Sequence, residues 1–169
     1  PNESLIALVR ANVRLPEMVL GDFHAQVAGG AVGGERLLEF MDESGLERLE
    51  PLADEIIART ERAMREAIRA LRPGAYEYAI TSDGFDEPIT IRVRCEVRGD
   101  ELLIDYTGSS PASRRGINVV MNYTEAYTTY GVKVIVSPDV PNNEGAFRPL
   151  RITAPEGSIL NAPHPAPVA

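Results

Sequence analysis

Ile89-Thr90-Ile91-Arg92-Val93-Arg94-Cys95-Glu96-Val97-Arg98 is the stretch that decides the fold. Ile89, Ile91, Val93, Cys95 and Val97 alternate with polar or charged residues, the two-residue period of a strand buried on one face and wet on the other. Arg98-Gly99-Asp100-Glu101 then makes a tight reversal, and Leu102, Ile104 and Tyr106 resume the alternation, so the two strands form an antiparallel hairpin. The second strand leaves through Asp105-Tyr106-Thr107 into Gly108-Ser109-Ser110-Pro111, a polar loop at a strand end, where rigid scaffolds commonly present working residues. Upstream, Tyr76, Tyr78 and Ile80 alternate between Gly74 and Thr81 and predict a third strand, which completes a meander. The connecting loop carries Asp83, Asp86 and Glu87 but lacks the ordered ligand spacing of a calcium loop, so it is read as a turn.

Helices flank this meander. Asn2 to Asn12 holds Leu5, Ile6, Leu8 and Val9 without a decisive period and fits a helix end or a strand. From Pro16, a residue tolerated at the first helical position, Val19 or Leu20, Phe23, Val27 and Ala31 recur at helical spacing. Gly29, Gly30, Gly33 and Gly34 each cost about 1 kcal/mol relative to alanine in a helix, so a break or a close approach is expected there. Their spacing matches no phosphate-binding pattern. Helical character resumes from Glu35 and ends at Gly45. A further helix follows Pro51, with Leu52, Ile56, Ala63, Ala67 and Leu71 on one face, charge pairs outside and Pro73-Gly74 as its stop. Tyr123, Tyr127, Tyr130 and Val134 fit one helical face, although the β-branched residues among them suit a strand as well; a helix is preferred. Pro138 to Gly145 is loop, and Leu150 to Thr153 a short strand. The expected class is α+β, with long helices packed on an antiparallel β-meander. Residues 1–73 form a mainly helical arm, and residues 74–169 the meander, loops and a further helix.

The composition narrows the function. With 44% hydrophobic and 25% charged residues the chain is in the ordinary globular range, and no apolar run is long enough to span a bilayer. A formal charge of -8 has the wrong sign for a phosphate backbone, which argues against nucleic acid. The single cysteine, Cys95, has no internal partner and falls on the apolar face of its strand, as suits a reducing, cytoplasmic compartment. Lys133 is the one lysine and is expected to be solvated. Arg114 and Arg115 lie beside Ser109, Ser110 and Ser113; they can grip a carboxylate or phosphate but are expected to be solvated too. The start at Pro1 without methionine and the proline-rich end read as a piece of a longer polypeptide.

Two groups of motifs carry a family resemblance. Asn12-Val13-Arg14-Leu15-Pro16-Glu17, Val19-Leu20-Gly21-Asp22 and Ala25-Gln26 are similar to the middle of the B-type chain of the hydantoinase B/oxoprolinase family. Asp105-Tyr106-Thr107-Gly108-Ser109-Ser110, Gly116-Ile117-Asn118, Pro138-Asp139-Val140-Pro141, Asn143-Glu144-Gly145, Phe147-Arg148-Pro149 and Pro155-Glu156-Gly157-Ser158 follow in that family's order. Arg115 departs from the small residue or proline the family often has there, and Asn122 to Thr129 is only loosely alike. The resemblance implies part of an ATP-dependent cyclic-amide hydrolase of hydantoinase or 5-oxoprolinase type, inactive by itself, whose partner is an A-type subunit or domain that binds the ATP. An acetone or acetophenone carboxylase subunit is the alternative, and a purely structural, subunit-docking module is another.

The chain has two histidines, His24 and His164, and no cluster suited to a metal; the resemblance places any divalent metal site upstream of this segment. The candidate site residues are therefore on loops. Asp105 and Glu144 are the catalytic candidates; Asn118, Asn143 and Arg148 are the substrate-binding ones, the asparagines for carbonyl or amide groups and the arginine for an imide or acid. Each has a structural rival: a turn cap for Asp105, loop satisfaction for the asparagines and a salt bridge for Glu144 with Arg148.

Overall fold

The alternating stretch forms the second strand of a four-stranded sheet in the computed structural model, which describes residues 2–169. β1 (Gly74–Ser82), β2 (Ile89–Arg98) and β3 (Glu101–Asp105) run antiparallel in the order of the chain, with Arg98 opposite Glu101 across a two-residue turn. β4 (Leu150–Thr153) adds to β3 in parallel, Leu102 opposite Leu150 and Asp105 opposite Thr153, so the sheet is mixed. A parallel neighbour needs a long crossover, and the segment between β3 and β4 supplies it with α4 (Met121–Val136) and the single turn α5 (Glu144–Phe147). The class is α+β.

The helix α3 (Glu50–Arg69) covers the apolar face of this sheet. Met64 and Ile68, one turn apart, have no exposed surface and pack with Val97, Leu102, Ile104 and Leu150. Each such side chain contributes about 2 kcal/mol by leaving water. The buried stripe matches the expected one only in part: Leu71 packs against the core and Ala63 and Ala67 are half-buried, but Thr60, Met64 and Ile68 are the residues that face fully inward, whereas Ile56 is exposed. The inward stripe contains a threonine and a methionine, which a search for branched aliphatics passes over. Val132 and Val136 of α4 pack against the same core.

Two compact units emerge, residues 1–51 and residues 52–169, so α3, grouped with the arm in the sequence reading, lies with the sheet. In the first unit, the undecided opening stretch is helical: α1 (Glu3–Asn12), capped by Asn2, whose Oδ1 accepts from the Leu5 amide at 3.1 Å. The expected break at the glycines is absent, because α2 (Pro16–Glu43) runs through Gly29, Gly30, Gly33 and Gly34 as one helix of 28 residues. Glycine lowers helix propensity but keeps its N–H, so unlike proline it leaves the hydrogen-bond ladder whole. Among the described residues, no other group closes on these glycines within 4 Å of where a Cβ would stand. The stop is as expected: Gly45 at φ 63° donates to the Asp42 carbonyl at 3.2 Å, and Leu46 to that of Met41 at 2.8 Å.

Lys133 is not solvated but buried, with 8% exposure. It sits in the last turn of α4, where the chain folds back, and its ammonium donates to the carbonyls of Ser137 (3.3 Å) and Val140. Carbonyls at a helix C-terminus are natural acceptors for a cation. Cys95 is half-buried on the core face, and burial pushes its thiol pKa up, which keeps it a thiol.

Candidate functional site

Asp105 ends β3 and turns the chain. Its Oδ1 accepts from the Thr107 amide (2.9 Å), the Thr107 hydroxyl (2.7 Å) and the Thr153 hydroxyl (3.3 Å), so one carboxylate oxygen ties the ends of β3 and β4 together. The Thr107 hydroxyl, then the Thr107 amide, hold its pKa below the ordinary carboxylate value, against a smaller opposing effect of burial. The Gly/Ser bend that follows lies beside β2: Ser110 exchanges bonds with the Thr90 backbone through its own amide (2.8 Å) and its Oγ (2.9 Å), and the Ser109 hydroxyl meets Arg92 N and O, both at 3.1 Å.

Asn118 has no exposed surface. Its Oδ1 accepts from the Ser113 amide at 2.7 Å, and its Nδ2 donates to the carbonyls of Ser113 (2.8 Å), Arg115 (3.2 Å) and Pro167 (2.7 Å). A carboxamide engaged on both ends is a clasp between the 113–115 loop and the C-terminal segment. Arg115 leaves the loop in the other direction and grips Asp86 with a two-point fork, 2.9 and 2.7 Å, across a polar cleft of about 650 Å³. The arginine expected to be solvated thus has an internal carboxylate, while Arg114, which lines the same cleft, has no ion-pair partner among the described residues.

Asn143, Glu144 and Arg148 come together around α5. Asn143 caps it, accepting from the Gly145 amide at 2.9 Å, and donates to the Thr60 hydroxyl of α3 at 2.9 Å. Arg148 binds Glu144 Oε1 through Nε (3.1 Å) and Nη2 (2.8 Å), and Glu61 of α3 through Nη1 (3.1 Å). Glu61 in turn meets Arg65 at 2.9 Å, and Arg65 reaches Asp100 and Glu101 at the β2–β3 turn at 3.3 and 3.4 Å. Hydrogen bonds from Arg65 and Arg148 lower the Glu61 pKa, so this ribbon of alternating charge stays ionised. The Glu144–Arg148 pair is mostly exposed and by itself adds little stability. Among the described residues, Asp105 and Asn118 share no hydrogen-bond partner with this cluster or with each other.

Beside α5 lies a pocket that the sequence reading does not single out. It holds about 460 Å³ between α4, α5 and β4. Asn122, Glu125, Thr129 and Tyr130 of α4 and Asn142 of the following loop are its polar members; Ala126, Phe147, Leu150 and Ile152 form an apolar floor. The signal for it is helical: residues 122, 125, 126 and 129 share one face of α4. Without knowing that β4 lies opposite, that face has no partner to define a cavity. Among the described residues no group of three or more His, Cys, Asp or Glu side chains is placed to hold a metal ion, so the residues present do not fit a bound divalent metal. Among the described residues no helix is long and apolar enough to cross a membrane.

Comparisons with known proteins bear on the whole of this arrangement. The chain is 31% identical over 99% of its length to an uncharacterised protein of Methanocaldococcus jannaschii, of which it covers 30%. It is 32% identical over 95% of its length to a Pseudomonas protein described as the B-type chain of a D-/L-hydantoinase, covering 29% of that protein. Among solved structures, it superposes on the ATP-dependent caprolactamase of Pseudomonas jessenii with a TM-score of 0.88 and 28% identity, over 99% of this chain and 30% of that one. A nucleotide-free acetone carboxylase gives a TM-score of 0.79 at 17% identity, covering 98% of this chain and 24% of the other, a likeness of fold alone. The chain therefore spans about 30% of the length of these two relatives. The family model of hydantoinase B/oxoprolinase matches residues 1–169, and the chain belongs to that family.

Proposed function

We propose that this chain is one segment of an ATP-dependent cyclic-amide hydrolase, acting with an A-type ATP-binding subunit or domain, and that it is inactive by itself. The observation that carries this is the match to the caprolactamase along nearly the whole chain, at an identity high enough to bear on more than fold. An amide ring is a poor electrophile, so coupling its opening to ATP supplies a driving force that water alone does not. The carboxylase alternative has weaker support, since the acetone carboxylase likeness extends to the fold only.

The local geometry favours a largely structural part for the loop asparagines. Asn118 and Asn143 spend their carboxamides on their own chain, whereas Asp105, Glu144 and Arg148 keep surface with which to meet a substrate. Asp105 and Glu144 remain the proposed catalytic carboxylates and Arg148 the proposed anion- or imide-binding group; Asn143 caps the turn that carries Glu144 and Arg148, and Asn118 clasps the 113–115 loop to the C-terminal segment.

The test is an assay of the intact subunit with its ATP-binding partner against ε-caprolactam, hydantoin, 5-oxoproline and acetone with bicarbonate, with and without ATP. Ring opening that requires ATP is expected, with none from residues 1–169 alone. Fixation of bicarbonate onto acetone with no ring opening overturns the hydrolase reading. Glu144→Ala or Arg148→Ala turning over at the wild-type rate removes those residues from the site.

A further inference from the structure

We infer that the pocket between α4, α5 and β4 holds the ring amide itself, a molecule the size of a lactam or hydantoin, through the carboxamides of Asn122 and Asn142; this deepens and rests on the hydrolase reading. The chain has seven asparagines. Asn2, Asn12, Asn118, Asn143 and Asn161 each use the side chain in a hydrogen bond within the protein. Asn122 and Asn142 have no such bond among the described residues, and both line the same pocket. Elsewhere the fold spends its asparagine side chains on itself; here it leaves two free on one cavity.

The chemistry of the vacant partners specifies the ligand. A small ring forces its amide to be cis, so the carbonyl and the N–H lie on one edge. A carboxamide also presents an acceptor and a donor side by side, and the two edges pair through two hydrogen bonds. Hydantoin has more than one such edge, and two carboxamides can take both. Glu125, one turn along α4 from Asn122, adds an acceptor for a ring N–H. Ala126, Phe147, Leu150 and Ile152 give the methylenes of a lactam an apolar wall. A volume of about 460 Å³ lies within the usual range for small-molecule sites, which pair apolar lining with a few polar groups. In this account Asn122 and Asn142 bind and orient the ring.

The experiment uses the intact subunit with its ATP-binding partner and ε-caprolactam as the probe. Binding is measured by calorimetry without ATP, and turnover with ATP. Asn122→Leu and Asn142→Leu remove the carboxamides, and Ala126→Trp fills the floor. Neither carboxamide holds a neighbour in place, so the two leucine variants keep the wild-type unfolding midpoint. Each is expected to weaken caprolactam binding about tenfold, the equivalent of one modest hydrogen-bonding contribution, and to raise KM more than it lowers kcat. Ala126→Trp abolishes binding. Wild-type enzyme that opens the ring, with all three variants equal to it in binding and KM, overturns the pocket and leaves the hydrolase reading standing. Caprolactam binding that the leucine variants weaken and Ala126→Trp abolishes, without ring opening in the presence of ATP, supports the pocket and overturns that reading. No detectable binding to wild type at millimolar probe overturns the pocket.

Discussion

Asn118 and Asn122 are four positions apart, chemically identical and opposite in use. The first is fully buried and clasps two segments; the second lies exposed on a cavity with its carboxamide free. No property of the residue distinguishes them, because the distinction is made by partners such as Pro167, which is 49 positions away. Lys133 teaches the same lesson, since a lone lysine reads as solvated until the loop after its helix folds back to offer carbonyls. Removing the Asn118 side chain strands a part-buried amide at Ser113 and the carbonyls it served. Asn118→Ala is expected to cost about 3 kcal/mol, the penalty range for unsatisfied buried groups. Urea unfolding measures it, and a loss below about 1 kcal/mol would show that water serves these groups equally well.

At the level of the element, Gly145 explains the Asn143-Glu144-Gly145 string better than chemistry does. A Cβ there meets the Ile57 carbonyl head-on and stands 2.9 Å from the Glu61 amide, both backbone atoms of α3. The single turn α5 therefore seats directly on the helix, held by the Asn143 cap and the Arg148 fork. Gly145→Ala should displace α5 and cost about 3 kcal/mol, at the upper end of ordinary overpacking. The readout is the denaturation midpoint together with the fluorescence of a tryptophan placed at exposed Phe147; an unmoved midpoint contradicts the close approach. Elements of this kind set the boundary of what the sequence discloses. The β2–β3 hairpin, β1, α4 and the cap at Gly45 are legible, because period, turn residues and helix stops act over a few positions. The continuity of α2, the fully buried stripe of α3 and the parallel placing of β4 depend on ladder integrity and on distant partners, and are not. The candidate site was legible only in part for the same reason: Asn143, Glu144 and Arg148 are brought together through Thr60 and Glu61, more than 80 positions earlier.

For the molecule as a whole, cohesion is uneven. Of the 28 residues of α2, Leu20 alone is buried, whereas β2 and β3 carry three of the six core side chains, Val97, Leu102 and Ile104. Local opening follows buried contacts, so hydrogen–deuterium exchange of the 169-residue chain should be at least about a hundredfold faster in mid-α2 than at Leu102 and Ile104. Equal protection in both places would mean that α2 has found cover that its own unit does not provide. The parallel seam between β3 and β4 has a kinetic meaning as well. Hairpin partners meet across two residues, but Leu150 reaches Leu102 only after the whole intervening excursion, with both of its helices, has been laid down. On the ribosome, Leu150 and Ile152 emerge after every other wall of the ring-sized cavity, so the chamber acquires its base last of all its sides, and a nascent chain stalled before residue 150 has nothing there to fill.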